Sequence, residues 1–221
     1  MTLVDPHGAQ LLRIAIVLPC QDQVDAGFAL DLSRLIQHTT AMRPDIVLTV
    51  IQNRGTIIPQ QRHTLVLAAQ EFRATHLLWL DSDMRFPKDT LFRLLSHDEP
   101  IVAANYSRRR HPVLPTAEHS ELGYLFTTPD ATGLEMVTQC GMGVMLTQMA
   151  VFTTVPQPWF QLGWSDGAYV GEDFFFCRRA KASGFPTLID QDVSQEVRHV
   201  GSLEYRAEHA CVTRDAYTKE A

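Results

Sequence analysis

Long apolar runs are missing from this 221-residue sequence, and so is any excess of basic charge. No window reaches the roughly 20 apolar residues of a membrane-spanning helix, so no membrane anchor is expected. The opening MTLVDPHGAQLLRIAIVLPC lacks the basic segment and small-residue cleavage site of a secretory signal. Its apolar part reads as a first strand. Cysteine is sparse: Cys20, Cys140, Cys177 and Cys211 are scattered without a CxxC pair, which excludes a zinc ribbon or a disulfide framework and points to a reducing cytoplasm. A net charge of -6 and a pI near 5.8 exclude a protein that coats nucleic acid through a general basic surface. Repeats and low-complexity linkers are absent as well, so residues 1–221 are expected to form a single domain. What remains, 45% hydrophobic and 20% charged residues, suits one substantial core in water.

The apolar residues that are present alternate between two patterns. RIAIVLP (Arg13 to Pro19) and DIVLTVI (Asp45 to Ile51) are short β-branched runs that predict buried strands. Between them, Val24 to His38 carries a helical stripe at Val24, Phe28, Leu32, Leu35 and Ile36. A helix over Pro59 to Ala74 follows, with proline at its start where the missing N–H costs little. HLLWLD is a third strand, Lys88 to Ser96 a short helix and Ile101 to Tyr106 a fourth strand. Strand–helix alternation of this kind predicts an α/β fold, a mostly parallel sheet flanked by helices. Beyond it, Arg108 to Thr132 reads as a long polar loop or hairpin, and EMVTQCGMGVMLT as strand, glycine-rich turn and strand. Gly171 to Ser183 is helical, closed by Gly184, and TLID and EVRHV are short final strands.

Chemistry concentrates at the ends of these elements. LLWLDSDMRFP delivers a buried strand to Asp81 and Asp83, separated only by Ser82. Residues i and i+2 of an extended chain point the same way, so the two carboxylates converge on one object or else form an ordinary turn with self-bonding aspartates. Ligands of open α/β sheets bind outside the carboxyl ends of the strands, which favours convergence; the turn after Pro19 lies at the same kind of end. GEDFFFC sets Glu172 and Asp173 in the first turn of a helix, where the macrodipole favours anions, with three phenylalanines behind them. That is either plain capping or a pair of partly desolvated carboxylates. VRHVGS ends on His199, which in the company of Asp-x-Asp becomes a candidate third ligand for a divalent ion. Two carboxylates and an imidazole suit manganese better than calcium, with magnesium as the alternative. SRRRHP, with Arg108, Arg109 and Arg110, is the single basic run, and a solvated loop is its commonest explanation.

Taken in order, the Pro19-ended strand, LDSDM, CGMGVML, GEDFFFC and RHVG resemble the GT-A glycosyltransferases, and within them the small phage-type (viral) enzymes. The resemblance spans roughly residues 13–203. It implies a GT-A fold, with a nucleotide-sugar half over about 10–106, an acceptor half over about 107–205, a smaller C-terminal β element and a tail from 206 to 221. Asp83 and His199 would bind a divalent metal, with Asp81 touching the ribose or the metal's water. Pro19, Gln21, Arg62 and Ser82 would complete the donor site. Asp173 would be the general base of an inverting transfer, with Glu172 the alternative bearer. Gly141 and Gly143 would allow a sugar or acceptor close to the backbone. A UDP-sugar is the expected donor, although no second aspartate for the uracil is evident near the first strand.

Two other classes fit the residues less well. A nucleotidyltransferase uses paired aspartates but pairs them with a glycine-rich phosphate loop, which VLPCQDQVDAGF does not provide. A noncatalytic carbohydrate-binding protein would not need Asp173. For the acceptor, Tyr106 beside Arg108, Arg109 and Arg110 suggests an aromatic and a phosphate grip on DNA carrying a hydroxymethylated base. A surface saccharide is the alternative.

Overall fold

The apolar runs of the sequence become the inner strands of a seven-stranded sheet. The structure is a computed structural model that describes residues 11–109, 112–119, 123–165 and 167–201. Arg110 and His111 of the arginine run, Cys211 and the tail 206–221 lie outside the described residues.

Along the chain come β1 (Leu12–Cys20), α1 (Ala26–Met42), β2 (Ile46–Arg54), α2 (Ile58–Glu71), β3 (His76–Leu80), β4 (Met84–Arg85) and α3 (Thr90–Ser96). Next are β5 (Ile101–Ala103), β6 (Glu118–His119), β7 (Gly123–Tyr124), β8 (Leu134–Val137), β9 (Val144–Gln148) and α4 (Met149–Thr154). The last stretch holds β10 (Gly163–Ser165), β11 (Ala168–Val170), α5 (Glu172–Ala182), β12 (Thr187–Asp190), α6 (Gln191–Ser194) and β13 (Arg198–His199).

The sheet order is β2-β1-β3-β9-β5-β12-β8. β1 pairs parallel with β2 and β3, and β5 parallel with β12. β9 runs antiparallel between β3 and β5, and β8 antiparallel at the edge. Five of the seven strands therefore point one way, in line with the mostly parallel sheet expected. β1 is buried on both faces. Ala15 and Val17 pack with Leu65, Val66 and Ala69 of α2, while Ile14, Ile16 and Leu18 meet Phe28 and Leu35 of α1. Two-sided burial is why the run shows no polar alternation.

Element ends follow local hydrogen bonding. α1 starts at Ala26 rather than Val24 because the Asp25 carboxylate accepts the N–H groups of Gly27 (2.8 Å) and Phe28 (3.1 Å) as an N-cap. The fourth strand stops at Ala103 rather than Tyr106. There Asn105 turns to loop partners: its N–H donates to Ser194, its amide nitrogen to the Leu125 carbonyl, and its amide oxygen accepts from Ala117.

Three contacts gather the carboxyl ends of the strands into one place. The Asp81 N–H donates to the Gly143 carbonyl (3.0 Å), so the start of β9 lies beside the DSD turn. β13 pairs with β4, opposing His199 to Met84, and the Val200 N–H donates to the Asp83 carbonyl (2.8 Å). The Asp25 N–H donates to the Ser82 carbonyl (2.9 Å), which ties the turn to the foot of α1.

Candidate active site

One cavity of about 750 Å³ opens at this edge, lined by Pro19, Gln21, Arg62, Asp81, Ser82, Asp83, Arg109, Glu172, Asp173 and His199 among others. Asp81 and Asp83 belong to a turn after β3, Arg62 to α2, Glu172 and Asp173 to the first turn of α5, and His199 to β13. Segments more than 100 residues apart thus meet.

Arg62 is the hub of the inner wall. It is 3% exposed and donates through Nε to Glu172 Oε1 (3.0 Å) and through Nη2 to Asp81 Oδ1 (3.1 Å). Burial opposes its charge, but Asp81 and Glu172 outweigh burial and hold the guanidinium charged. Its Nη1 is buried without a partner.

Glu172 is committed to that ion pair. Asp173 is not: among the described residues its carboxylate accepts only the N–H of Phe174, at 2.8 Å. Burial first, then the charge of Glu172, push the Asp173 carboxyl up to about 6, against the opposing influence of Arg62. Of the two influences that the sequence sets against each other, helix terminus and desolvation, burial wins. Asp173 still lines the cavity and is ionised at neutral pH.

At the outer wall Asp83 faces His199 and Arg109. Its Oδ2 lies 2.8 Å from Arg109 Nη1, and its Oδ1 3.5 Å from His199 Nε2. Burial pushes the Asp83 carboxyl up, but His199 and the Arg109 guanidinium outweigh burial and hold it below its ordinary value. His199 Nδ1 lies 3.0 Å from the Ser107 carbonyl, which can only accept, so Nδ1 carries the proton. The hold of His199 on Asp83 needs a second proton, on Nε2; once that proton is given up, Nε2 turns a lone pair toward the carboxylate oxygen, an arrangement that suits a cation between them.

Asp81 does not complete a triad. Among the described residues no group of three His, Cys, Asp or Glu side chains is arranged to hold an ion. The reason is the two arginines: Arg62 holds Asp81 toward α2 while Arg109 holds Asp83 toward the loop. The residues that fit a divalent ion are Asp83 and His199.

Other expected site residues have different surroundings. A Cβ on Gly141 or Gly143 would overlap the Tyr106 hydroxyl, which accepts the Gly143 N–H at 2.9 Å. The close approach that these glycines permit is therefore that of Tyr106, whose ring meets His199 edge-on at 5.2 Å. Tyr106 lines a separate, smaller cavity with Asn105, Ser107 and Phe126. Neither Arg108 nor Arg109 presents a free basic group. Arg108 pairs with Glu118 and sits over the rings of Tyr124 (5.1 Å) and Phe174 (5.8 Å), and Arg109 is turned onto Asp83.

Sequence reasoning missed Gly55, Thr56 and Gln61, which line the same cavity. Parallel pairing of β1 and β2 carries Arg54 level with Cys20, so the loop after β2 had to lie beside the loop after β1. Arg109 was legible as a charge but not as the partner of Asp83.

No family model matches the chain, and no curated protein matches it in sequence. Its architecture, an α/β sheet flanked by helices, has counterparts among solved structures. The chain is similar to A197 from STIV, with a TM-score of 0.54 and 13% identity over 88% of this chain and 97% of that one. TarS 1-349 of S. aureus gives a TM-score of 0.49 and 12% identity over 86% of this chain and 60% of that one. A glycosyltransferase involved in glycosylation of the PBCV-1 major capsid gives 0.32 and 16%, over 66% and 68%. At 13% identity the likeness to A197 is one of fold alone.

Proposed function

We propose that the protein is a metal-dependent, inverting glycosyltransferase that moves a sugar from a nucleoside-diphosphate sugar, a UDP-sugar foremost, to an acceptor hydroxyl. The observation that carries this reading is the single cavity in which an Asp-x-Asp turn, an Asp–His pair and a desolvated carboxylate at a helix N-terminus face one another. Its volume lies in the range of sites that enclose small molecules.

Charge supports the metal. Asp22, Asp81, Asp83, Glu172 and Asp173 bring five carboxylates to the cavity against the guanidiniums of Arg62 and Arg109; with Asp22 paired to Arg54, two negative charges remain when His199 is neutral. A diphosphate entering such a site needs a cation. Asp83 and His199 would hold manganese, or magnesium as the alternative, and the ion would neutralise the diphosphate as it departs. Arg109, released from Asp83, would remain within reach of the same phosphates. Pro19, Gln21 and Ser82 would bound the nucleoside. Asp173 would accept the proton of the attacking hydroxyl as the oxygen bonds to the anomeric carbon and the diphosphate leaves from the opposite face. Glu172, neutralised by Arg62, positions the helix start and is the weaker candidate for base.

A test that does not depend on turnover is the affinity for UDP, measured by calorimetry with and without manganese. Manganese is expected to tighten UDP binding, chelator to reverse the gain, and Asp83→Ala and His199→Ala to remove it. UDP binding that ignores both metal and substitutions would remove the metal from the mechanism.

A further inference from the structure

The hairpin β10–β11 runs directly into the proposed catalytic helix, and its apolar side chains point away from any core. Trp164 is 66% exposed and Tyr169 80%, with Leu162 beside them at 52%. The two rings oppose each other in the hairpin register, with centroids 4.8 Å apart and planes at 82°. An edge-to-face pair leaves the face of one ring and the edge of the other open. Gly167, at φ 77°, closes the turn. Tyr169 precedes Asp173 by four residues, so their Cα atoms are at most about 14 Å apart. Large apolar side chains exposed together mark a binding surface more often than isolated ones do.

From this we infer that Trp164 and Tyr169 form the acceptor platform, and that its ligand is a saccharide ring stacked by its C–H face. The inference rests on the glycosyltransferase reading and names that enzyme's acceptor class. Charge decides between a sugar and a nucleic acid. The hairpin stretch LGWSDGAYV carries no Lys or Arg, and a strand of DNA or RNA needs cations for its phosphates. Arg108 and Arg109, the described arginines of the basic run, are engaged with Glu118 and Asp83. A neutral saccharide asks for an exposed apolar ring face, which the edge-to-face pair leaves open on one of its rings.

Three tryptophans make the test direct. Trp79 and Trp159 are 0% and 2% exposed, so acrylamide quenching of the intact chain reports mainly on Trp164. The probes are neutral tetrasaccharides (cello-, chito-, malto- and β-1,6-gluco-) and the oligonucleotide dT12, each titrated to saturation or to its solubility limit. At least one tetrasaccharide is expected to protect Trp164 saturably, and Tyr169→Ala, which keeps the reporter, to weaken that protection about tenfold. No protection by any saccharide, protection unchanged in Tyr169→Ala, or protection by dT12 alone would each overturn the platform. Release of UDP from UDP-sugars, followed in parallel, separates the two readings. Release without saccharide protection leaves the enzyme standing and removes the platform; protection without release does the reverse.

Discussion

Neighbouring carboxylates at the start of α5 have opposite energetic characters. Glu172 is neutralised by Arg62 at 3.0 Å, whereas Asp173 is half-buried and, among the described residues, pairs with no cation. An unfolded aspartate ionises near pH 3.9 and this one near 6. The folded state therefore holds the extra proton between those values, and stability falls as pH rises through that window. At pH 7 the cost is up to about 3 kcal/mol for a gap of roughly two pH units. Asp173→Asn is expected to raise Tm at pH 7 by about 3 °C or more and to leave it unchanged at pH 4. It should also lower transfer by about 10²- to 10⁴-fold. Glu172→Gln should lower Tm, because Arg62 loses a buried partner, at a cost of about 3 kcal/mol. Thermal melts at the two pH values check both signs. In the parent, kcat/KM should fall with acid through an apparent pKa of about 6; a rate unchanged between pH 5 and 7 would remove Asp173 from the role of base.

At the scale of elements, the helix start is held in shape by what its neighbours lack. A Cβ on Gly171 would overlap Asp173 Oδ1, so Gly171→Ala must push the carboxylate out of its place. The backbone there is extended, with φ -63° and ψ 157°, and tolerates alanine. Gly171→Ala is expected to fold normally by circular dichroism and to lose about 10²-fold in transfer, while UDP affinity stays within twofold. Most elements were legible from apolar periodicity, because β1, β3 and β9 are buried on both faces and read as continuous runs. The insertion of β9 between β3 and β5 was not legible, since antiparallel return is decided by long-range pairing that no local pattern records. The site divides in the same way. Asp81, Asp83, Glu172, Asp173 and His199 stood out because they fall together at the ends of elements, where open α/β sheets bind their ligands. The turn of Arg109 onto Asp83, and the filling of the space over Gly141 and Gly143 by Tyr106, depend on how a loop crosses the site. The exposed pair on β10–β11 escaped notice because exposure cannot be read from residue type.

For the whole molecule, the net charge of -6 and the engagement of Arg108 and Arg109 with carboxylates argue for an acceptor other than DNA. Changing Arg108 and Arg109 together to Ala is accordingly expected to leave any weak DNA binding, and its salt slope, unchanged. A slope reduced by about two would restore the phosphate-contacting run. Among the described residues no helix is long and apolar enough to cross a membrane.

Whether this cavity breaks the bond between sugar and nucleoside diphosphate is read from the phosphate product when the protein is incubated with manganese and a panel of nucleoside-diphosphate sugars, or with nucleoside triphosphates plus sugar 1-phosphates. Nucleoside diphosphate is expected from the first set, none from Asp83→Ala, and no pyrophosphate from the second. Pyrophosphate release would make the protein a nucleotidyltransferase, and release of neither product would rule out both transfers.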